Sequence, residues 1–302
     1  TPVTIELASE FMKQGFSVLV CLRGYKGKSN QSLLVADSKG LYSTADLAGD
    51  EAILIANRLS QKSQNQNFFV ATGRDRASLI EKFGSNADII LLDDAFQNPS
   101  VWRNFDLVLI DTTRDLDQFK VFPCGRYREN LEALSRADMV LLTRCNQSNQ
   151  KAQLWHNLIR SQFPSLPLFK IGIRYQTIEP VSKNNLALTT NQPVIAFCGI
   201  GNPDSFYSLI EEIGFTINEK FTFADHYSYS ENDFIKLNLA AALNQLPLIT
   251  TEKDIARLGN QVEKLPNLYS LTTELYRLGS QELKSLISEI VSAVNLERKS
   301  NL

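Results

Sequence analysis

The chain has 302 residues, is 43% hydrophobic and 21% charged, and carries a formal net charge of −2. That is ordinary globular composition, long enough for one large or two moderate domains. The balanced charge argues against a nucleic-acid partner, and no apolar run is long enough to span a bilayer. Cys21, Cys124, Cys145 and Cys198 lie far apart and form no CxxC pair. Cys21 and Cys198 sit in apolar runs and read as small buried hydrophobes in a reducing compartment, not as a disulfide frame or zinc site.

The chain opens Thr1-Pro2, without a Met, and enters a helix at once, with apolar residues at Val3, Ile5, Leu7, Ala8, Phe11 and Met12. Pro2 suits the first helical position. A strand and loop are expected upstream. If that loop were GxxxxGK, Thr1 would supply the magnesium-binding hydroxyl of a phosphate loop. A strand is expected over 16–21, followed by the basic loop Arg23-Gly24-Tyr25-Lys26-Gly27-Lys28, and a second strand over 33–36. Gly49 precedes Asp50-Glu51 at the start of a helix over 51–59, where a carboxylate is stabilised by the helix dipole. An N-cap would explain an isolated Asp there equally well. A strand over 68–71 runs into Thr72-Gly73-Arg74-Asp75-Arg76 and a helix to Phe83.

The stretch ADIILLDDAFQN (87–98) follows. Its unbroken apolar run, Ile89 to Leu92, reads as a strand buried on both faces. Asp93 and Asp94 stand at its C-terminal end, where open α/β sheets bind ligands and where a magnesium-binding acid sits beside a triphosphate. Further strands are expected over 106–110 and 139–143, with Cys124 to Glu129 in the loop between them and an amphipathic helix over 152–163. The polar segment 176–192 reads as a linker. A second alternating unit follows: strands over 194–198, 215–223, 248–250 and 268–271, helices over 203–213, 231–243 and 253–258, and a last helix over 281–294. Within it Asp225-His226 follows a strand; a loop histidine beside a carboxylate is either structural or a proton carrier. Thr251-Glu252-Lys253-Asp254 has the spacing of an acidic capping box.

Strand–helix alternation of this kind predicts an α/β fold: a doubly wound, mostly parallel sheet with a second, smaller α/β unit. The expected domains are a core over 1–175, a linker over 176–192 and a C-terminal unit over 193–302. Arg23, Lys28, Arg74, Arg76, Arg126 and Arg128 all fall in loops after strands. A rim so lined suits phosphate or another anion.

Several motifs together resemble the tetraacyldisaccharide 4′-kinases, the lipid A kinases of Gram-negative bacteria. They are Thr1-Pro2 with its helix, Arg23-Gly24-Tyr25, Gly49-Asp50-Glu51, Gly73 to Arg76, Asp93-Asp94 with Phe96-Gln97, Pro123-Cys124-Gly125 through Arg128-Glu129, Gly199-Ile200-Gly201-Asn202-Pro203, Asp225-His226 and Thr251 to Asp254. They occur in the family's order. The chain departs from the family pattern at Leu22 for Ser and at Ala95 and Asn98 for the Gly and His of Asp-Asp-Gly-Phe-Gln-His.

The resemblance implies a sheet of P-loop NTPase type, a kinase core over 1–175 whose cleft the unit over 193–302 closes, ATP and Mg²⁺ as cofactors, and transfer of the γ-phosphate to the 4′-hydroxyl of a tetraacylated glucosamine disaccharide. It implies Asp50 as general base paired with His226, and Asp93 and Asp94 on magnesium with Thr1 and Glu129. Arg74, Arg76 and Arg128 would hold phosphates or the headgroup. Peripheral attachment to the cytoplasmic face of the inner membrane would use an N-terminal segment not in this chain. Two other functions stay open on the residues: a P-loop ATPase of the partitioning type, and a non-catalytic remnant if the native protein lacks a phosphate loop.

Overall fold

The computed structural model describes residues 1–62, 67–114, 116, 120–125, 127–181, 188–189, 191–278, 287–288 and 290–292. Arg126 and Asn184-Asn185 lie outside these. So does the expected last helix, apart from 287–288 and 290–292, which are helical. The chain forms two compact units. The first comprises Thr1, Met12–Asp93 and Tyr175–Glu274; the second comprises Pro2–Phe11, Asp94–Arg174 and Leu275–Leu302. This differs from the expected division into 1–175 and 193–302. The stretches 12–93 and 193–274 share one unit because helices from each pack together there (α3 and α8, below).

In the first unit a five-stranded sheet has the order β3-β2-β4-β1-β5. Its strands are β1 (Val18–Leu22), β2 (Leu33–Asp37), β3 (Gly40–Leu41), β4 (Phe68–Thr72) and β5 (Ile89–Leu92). β1 is fully buried and runs parallel to β4 and β5, as its unbroken apolar sequence requires. β2 is antiparallel to β4 and to β3, so the sheet is mixed at that edge. Three helices accompany it: α2 (Ala45–Ala48), α3 (Asp50–Lys62) and α4 (Arg76–Phe83). Leu19, Cys21, Ala71 and Leu79 form a buried cluster here. Burial pushes the Cys21 thiol up to about 12, which makes it an inert hydrophobe.

The same unit holds the parallel strands β9 (Pro193–Cys198), β10 (Thr216–Thr222), β11 (Leu248–Thr251) and β12 (Leu268–Arg277) in the order β10-β9-β11-β12. Helices α6 (Pro203–Glu212), α7 (Glu231–Asn244) and α8 (Glu252–Leu258) connect them. Ile195, Phe197, Phe234, Leu237, Leu248 and Leu268 pack on one side of this sheet, and Ala196, Phe206, Ile210, Ile249 and Tyr269 on the other. α3 packs directly on α8.

The second unit holds most of α1 (Pro2–Lys13), the parallel strands β6 (Leu107–Asp111) and β7 (Met139–Thr143), the start of β8 (Leu168–Pro180), and α5 (Asn149–Gln162). Trp155, Ile159, Val140 and Leu142 anchor its core. Residues 176–180, expected to open a linker, instead continue β8. Within the first unit that end of β8 meets β12: the Thr177 N–H donates to Thr272 Oγ1 (3.2 Å) and the Val181 N–H to the Leu268 carbonyl (2.9 Å). Alternating apolar residues at Ile171, Ile173 and Tyr175, with Ile178 beyond them, carry the strand through the polar composition.

Candidate functional site

Parallel pairing brings the ends of β1, β4 and β5 to one edge of the five-stranded sheet. The Gly73 N–H donates to the Leu22 carbonyl (3.0 Å) and the Asp93 N–H to the Cys21 carbonyl (3.0 Å). The loops carrying Arg23 to Lys28, Arg74 and Asp93 therefore leave from the same rim, where open sheets place their ligands.

Two members of the expected rim differ from the rest. Arg76 is buried, and its guanidinium donates to the main-chain carbonyls of Gly73 and Asp93. It braces the β4–α4 turn against the end of β5, while Arg74 is exposed. Lys28 lies far out in solvent, paired with Asp46.

Asp50 begins α3. Gly49 before it has φ +88, and a Cβ there would stand 2.7 Å from the Tyr25 carbonyl oxygen. The basic loop thus presses on the helix start with only a hydrogen's clearance. Gly49→Ala is expected to destabilise the protein by about 1–3 kcal/mol through backbone strain and to displace Asp50. A thermal melt with the wild-type midpoint would remove the constraint.

The Asp50 carboxylate is buried, and its contacts are long-range. His226 Nδ1 lies 2.9 Å from its Oδ2 and 3.1 Å from its Oδ1. Arg257 Nη2 donates to Oδ2 (2.6 Å), and the Glu51 N–H donates to Oδ1 (2.9 Å). The pairing of Asp50 with His226 spans 176 positions of chain. His226 has φ +58, a sparsely populated conformation for a non-glycine residue and a common feature of functional sites. Its Nε2 lies 3.8 Å from Asp225, the Tyr25 ring meets it edge-on, and Lys26 Nζ donates to the Asp225 carbonyl (3.1 Å). An imidazole held by a carboxylate at Nδ1 presents Nε2 outward, which is the arrangement of a proton carrier.

Beside this pair, Glu51 accepts from Lys253 Nζ (2.7 Å) and Thr1 Oγ1 (3.0 Å). Burial raises the Glu51 pKa, but the Lys253 charge and hydrogen bond outweigh it and leave it below the usual carboxylate value. The sign follows: this stabilisation is complete above the ordinary carboxylate range and is lost as pH falls through the depressed value. Thr251 caps α8 by accepting from the Asp254 N–H, as its spacing led one to expect.

In the second unit Asp94, at φ +52, is gripped by the Arg128 fork at 2.7 and 2.9 Å, both side chains about half exposed. Glu129 pairs with Arg136 at 2.8 Å. Arg128 and Glu129 are thus each engaged with a side chain of opposite charge. Asn98 Oδ1 accepts from the Ser100 N–H (2.8 Å) and hydroxyl (2.6 Å), so this side chain closes a local turn. Arg257 drew no attention in the sequence. Its only local signal is its place three residues after Asp254 on a short helix, a spacing that pairs opposite charges.

The parallel-rich sheets, the acids following β5 and the buried Asp–His pair at a helix start define a phosphotransferase of P-loop kinase fold. The chain belongs to the tetraacyldisaccharide-1-P 4′-kinase family (LpxK), whose model matches residues 1–292. It is 31% identical over 277 residues to the tetraacyldisaccharide 4′-kinase of Desulfotalea psychrophila, covering 89% of this chain and 77% of that one. It is 29% identical to the enzyme of the same name from Halothermothrix orenii, covering 96% and 79%. A crystal structure of LpxK from Aquifex aeolicus in complex with ATP superposes with a TM-score of 0.68 at 25% identity, covering 96% of this chain and 83% of that one.

Proposed function

We propose that the chain transfers the γ-phosphoryl group of ATP to the 4′-hydroxyl of a tetraacylated glucosamine disaccharide 1-phosphate. Family membership supports the reaction, and the buried Asp50–His226 contact is the observation that supports its chemistry. The 4′-oxygen forms its bond to the γ-phosphorus as the bond to the bridging oxygen breaks and ADP leaves. The hydroxyl proton passes to the Asp50–His226 pair. Phosphoryl transfer needs alignment and charge neutralisation more than covalent help. The exposed Arg74 is suited to steady phosphate oxygens at the sheet edge. Arg128 would do so by exchanging Asp94 for a phosphate, and Arg76 acts by holding the loop that carries Arg74 and the main chain of Asp93.

Mg²⁺ fits the donors present. Among the described residues no three His, Cys, Asp or Glu side chains gather into a metal site. Mg²⁺ characteristically uses one or two carboxylates together with substrate phosphates and water. Thr1 and Asp93 supply hard oxygen donors in the first unit; Asp94 and Glu129 supply them in the second, once released from their arginines. Bound there, the ion would neutralise developing charge on the phosphate oxygens.

The acceptor's acyl chains keep it in a bilayer, at about 0.8 kcal/mol per buried CH₂, so the reaction takes place at a membrane surface. We place this at the cytoplasmic face of the inner membrane. Among the described residues no helix is long and apolar enough to cross a membrane, which fits peripheral attachment.

The test is ³²P transfer from γ-labelled ATP to purified tetraacyldisaccharide 1-phosphate in mixed micelles. Magnesium-dependent labelling of the lipid is expected. Phosphate release with no labelled lipid would sink the assignment. In the same assay Asp94→Asn should raise the magnesium concentration needed for half-maximal rate; an unaltered titration would remove Asp94 from the metal.

A further inference from the structure

We propose that Arg257 is a positioning residue for the reaction: it locks the Asp50–His226 pair into one geometry from both sides. The proposal rests on the proton-accepting role assigned above to that pair. The guanidinium is almost fully buried and forks in two directions. Nη2 donates to Asp50 Oδ2 at 2.6 Å. Nη1 donates to Asp254 Oδ1 at 2.8 Å and to the Gly199 carbonyl at 3.1 Å. That same Gly199 carbonyl accepts the main-chain N–H of His226 at 3.1 Å. One planar group therefore touches the carboxylate of the pair and the carbonyl that anchors the imidazole's backbone.

The fork has a rigid mount. Asp254 is fully buried and accepts from the Gly199 N–H (3.1 Å), from Tyr229 Oη (2.7 Å) and from Thr251 Oγ1 (2.6 Å). Burial and the Asp254 charge keep Tyr229 protonated, hence a donor. A Cβ on Gly199 would come within 2.9 Å of Arg257 Nη1, so a side chain there would push the guanidinium aside. Arg257 is thus held by α8 and by the loop after β9, and it reaches the N-terminus of α3.

A structural ion pair would need only Asp254. The second arm, spanning 207 residues to Asp50, is what a positioning role requires. The planar fork serves both arms at once, which a lysine ammonium on a flexible stem cannot do in the same geometry. The charge also acts on the pair. His226 touches Asp50 of α3, Asp225 of its own loop and the Tyr25 ring of the basic loop; around these, the Glu51 N–H and Arg257 donate to Asp50, Lys26 to the Asp225 carbonyl, Lys253 to Glu51 and Arg257 to Asp254. Among the described lysines and arginines, Arg257 is the one that hydrogen-bonds to Asp50. Its charge offsets part of the carboxylate's pull on a protonated imidazole.

The experiment compares wild type, Arg257→Met and Arg257→Lys by kinetics and by ¹⁵N NMR titration of the imidazole, with His226→Gln used to assign the signal. Arg257→Met is expected to lower kcat roughly 10–100-fold, with KM for ATP and lipid within about 2-fold of wild type. Its His226 titration should move up, carrying the acid limb of kcat with it, because a cation near the pair has been removed. Arg257→Lys should return the titration to its wild-type place while kcat stays several-fold low. An unmoved titration in folded Arg257→Met would overturn the proposal. If that variant does not fold, wild-type kcat in Arg257→Lys overturns it. The NMR reading needs no activity, so a chain that labels no lipid would sink the kinase function without deciding the role of Arg257.

Discussion

Asp50→Asn is expected to cut kcat by roughly 10²–10⁴-fold, the loss typical of a removed acid–base group. Asparagine keeps the volume of the buried side chain and still accepts hydrogen bonds through one oxygen. It cannot share a proton with His226. Its amide nitrogen would also face either the imidazole or the Arg257 fork, donor against donor. KM for ATP should change little, because Asp50 acts on the acceptor hydroxyl rather than on the phosphates. His226→Gln should fall in the same range, and the double variant should lose little beyond either single one, since the two residues act as a unit. Turnover within about threefold of wild type in a folded Asp50→Asn would end the assignment of the proton acceptor.

Asp254→Ala is expected to cost about 3–5 kcal/mol of stability, a large part of what a domain possesses. The carboxylate is fully buried and accepts from Gly199, Tyr229, Thr251 and Arg257. Alanine leaves the Gly199 N–H and the Tyr229 hydroxyl without an acceptor, each a loss of about 1–3 kcal/mol when buried. It also withdraws one partner of a buried guanidinium. The measurement is the urea midpoint and slope of the purified variant beside wild type and Asp254→Asn. Asp254→Asn should fall between the two, since it keeps shape and one acceptor. A loss below about 1 kcal/mol for Asp254→Ala would show that the network is not what holds α8 to the loop after β9.

Much of the site was legible from local chemistry. The run Ile89–Leu92 forms a strand with Asp93 just past its C-terminal end, as its short apolar sequence suggests, but it is not buried on both faces: it lies at the edge of its sheet and only Ile89 is buried. Thr251 and Asp254 announce a helix start by spacing alone. The order of the motifs identified the family, and the family match removes a partitioning ATPase as an alternative. Asp50 was recognisable as an acid at a helix start, but that position suits an N-cap equally well.

Other parts were not legible. Arg74 and Arg76 differ by two positions on one loop, yet the first is exposed and the second is swallowed by carbonyls of Gly73 and Asp93. Which way a loop arginine turns depends on which unsatisfied carbonyls lie within reach, and composition does not carry that. The strand continuing to Pro180 was hidden by its polar composition; it is the main chain of Thr177 that meets Thr272 on β12. Nothing near Arg257 marked it as a neighbour of Asp50.

The sequence by itself determined the class of fold, the edge at which the loops gather and the family, because periodicity, caps and motif order are properties of adjacent residues. Only the tertiary structure decided that Asp50, His226 and Arg257 meet. Their contacts close loops of well over a hundred residues, and it is the packing of α3 on α8, with the loop after β9 beneath, that makes them.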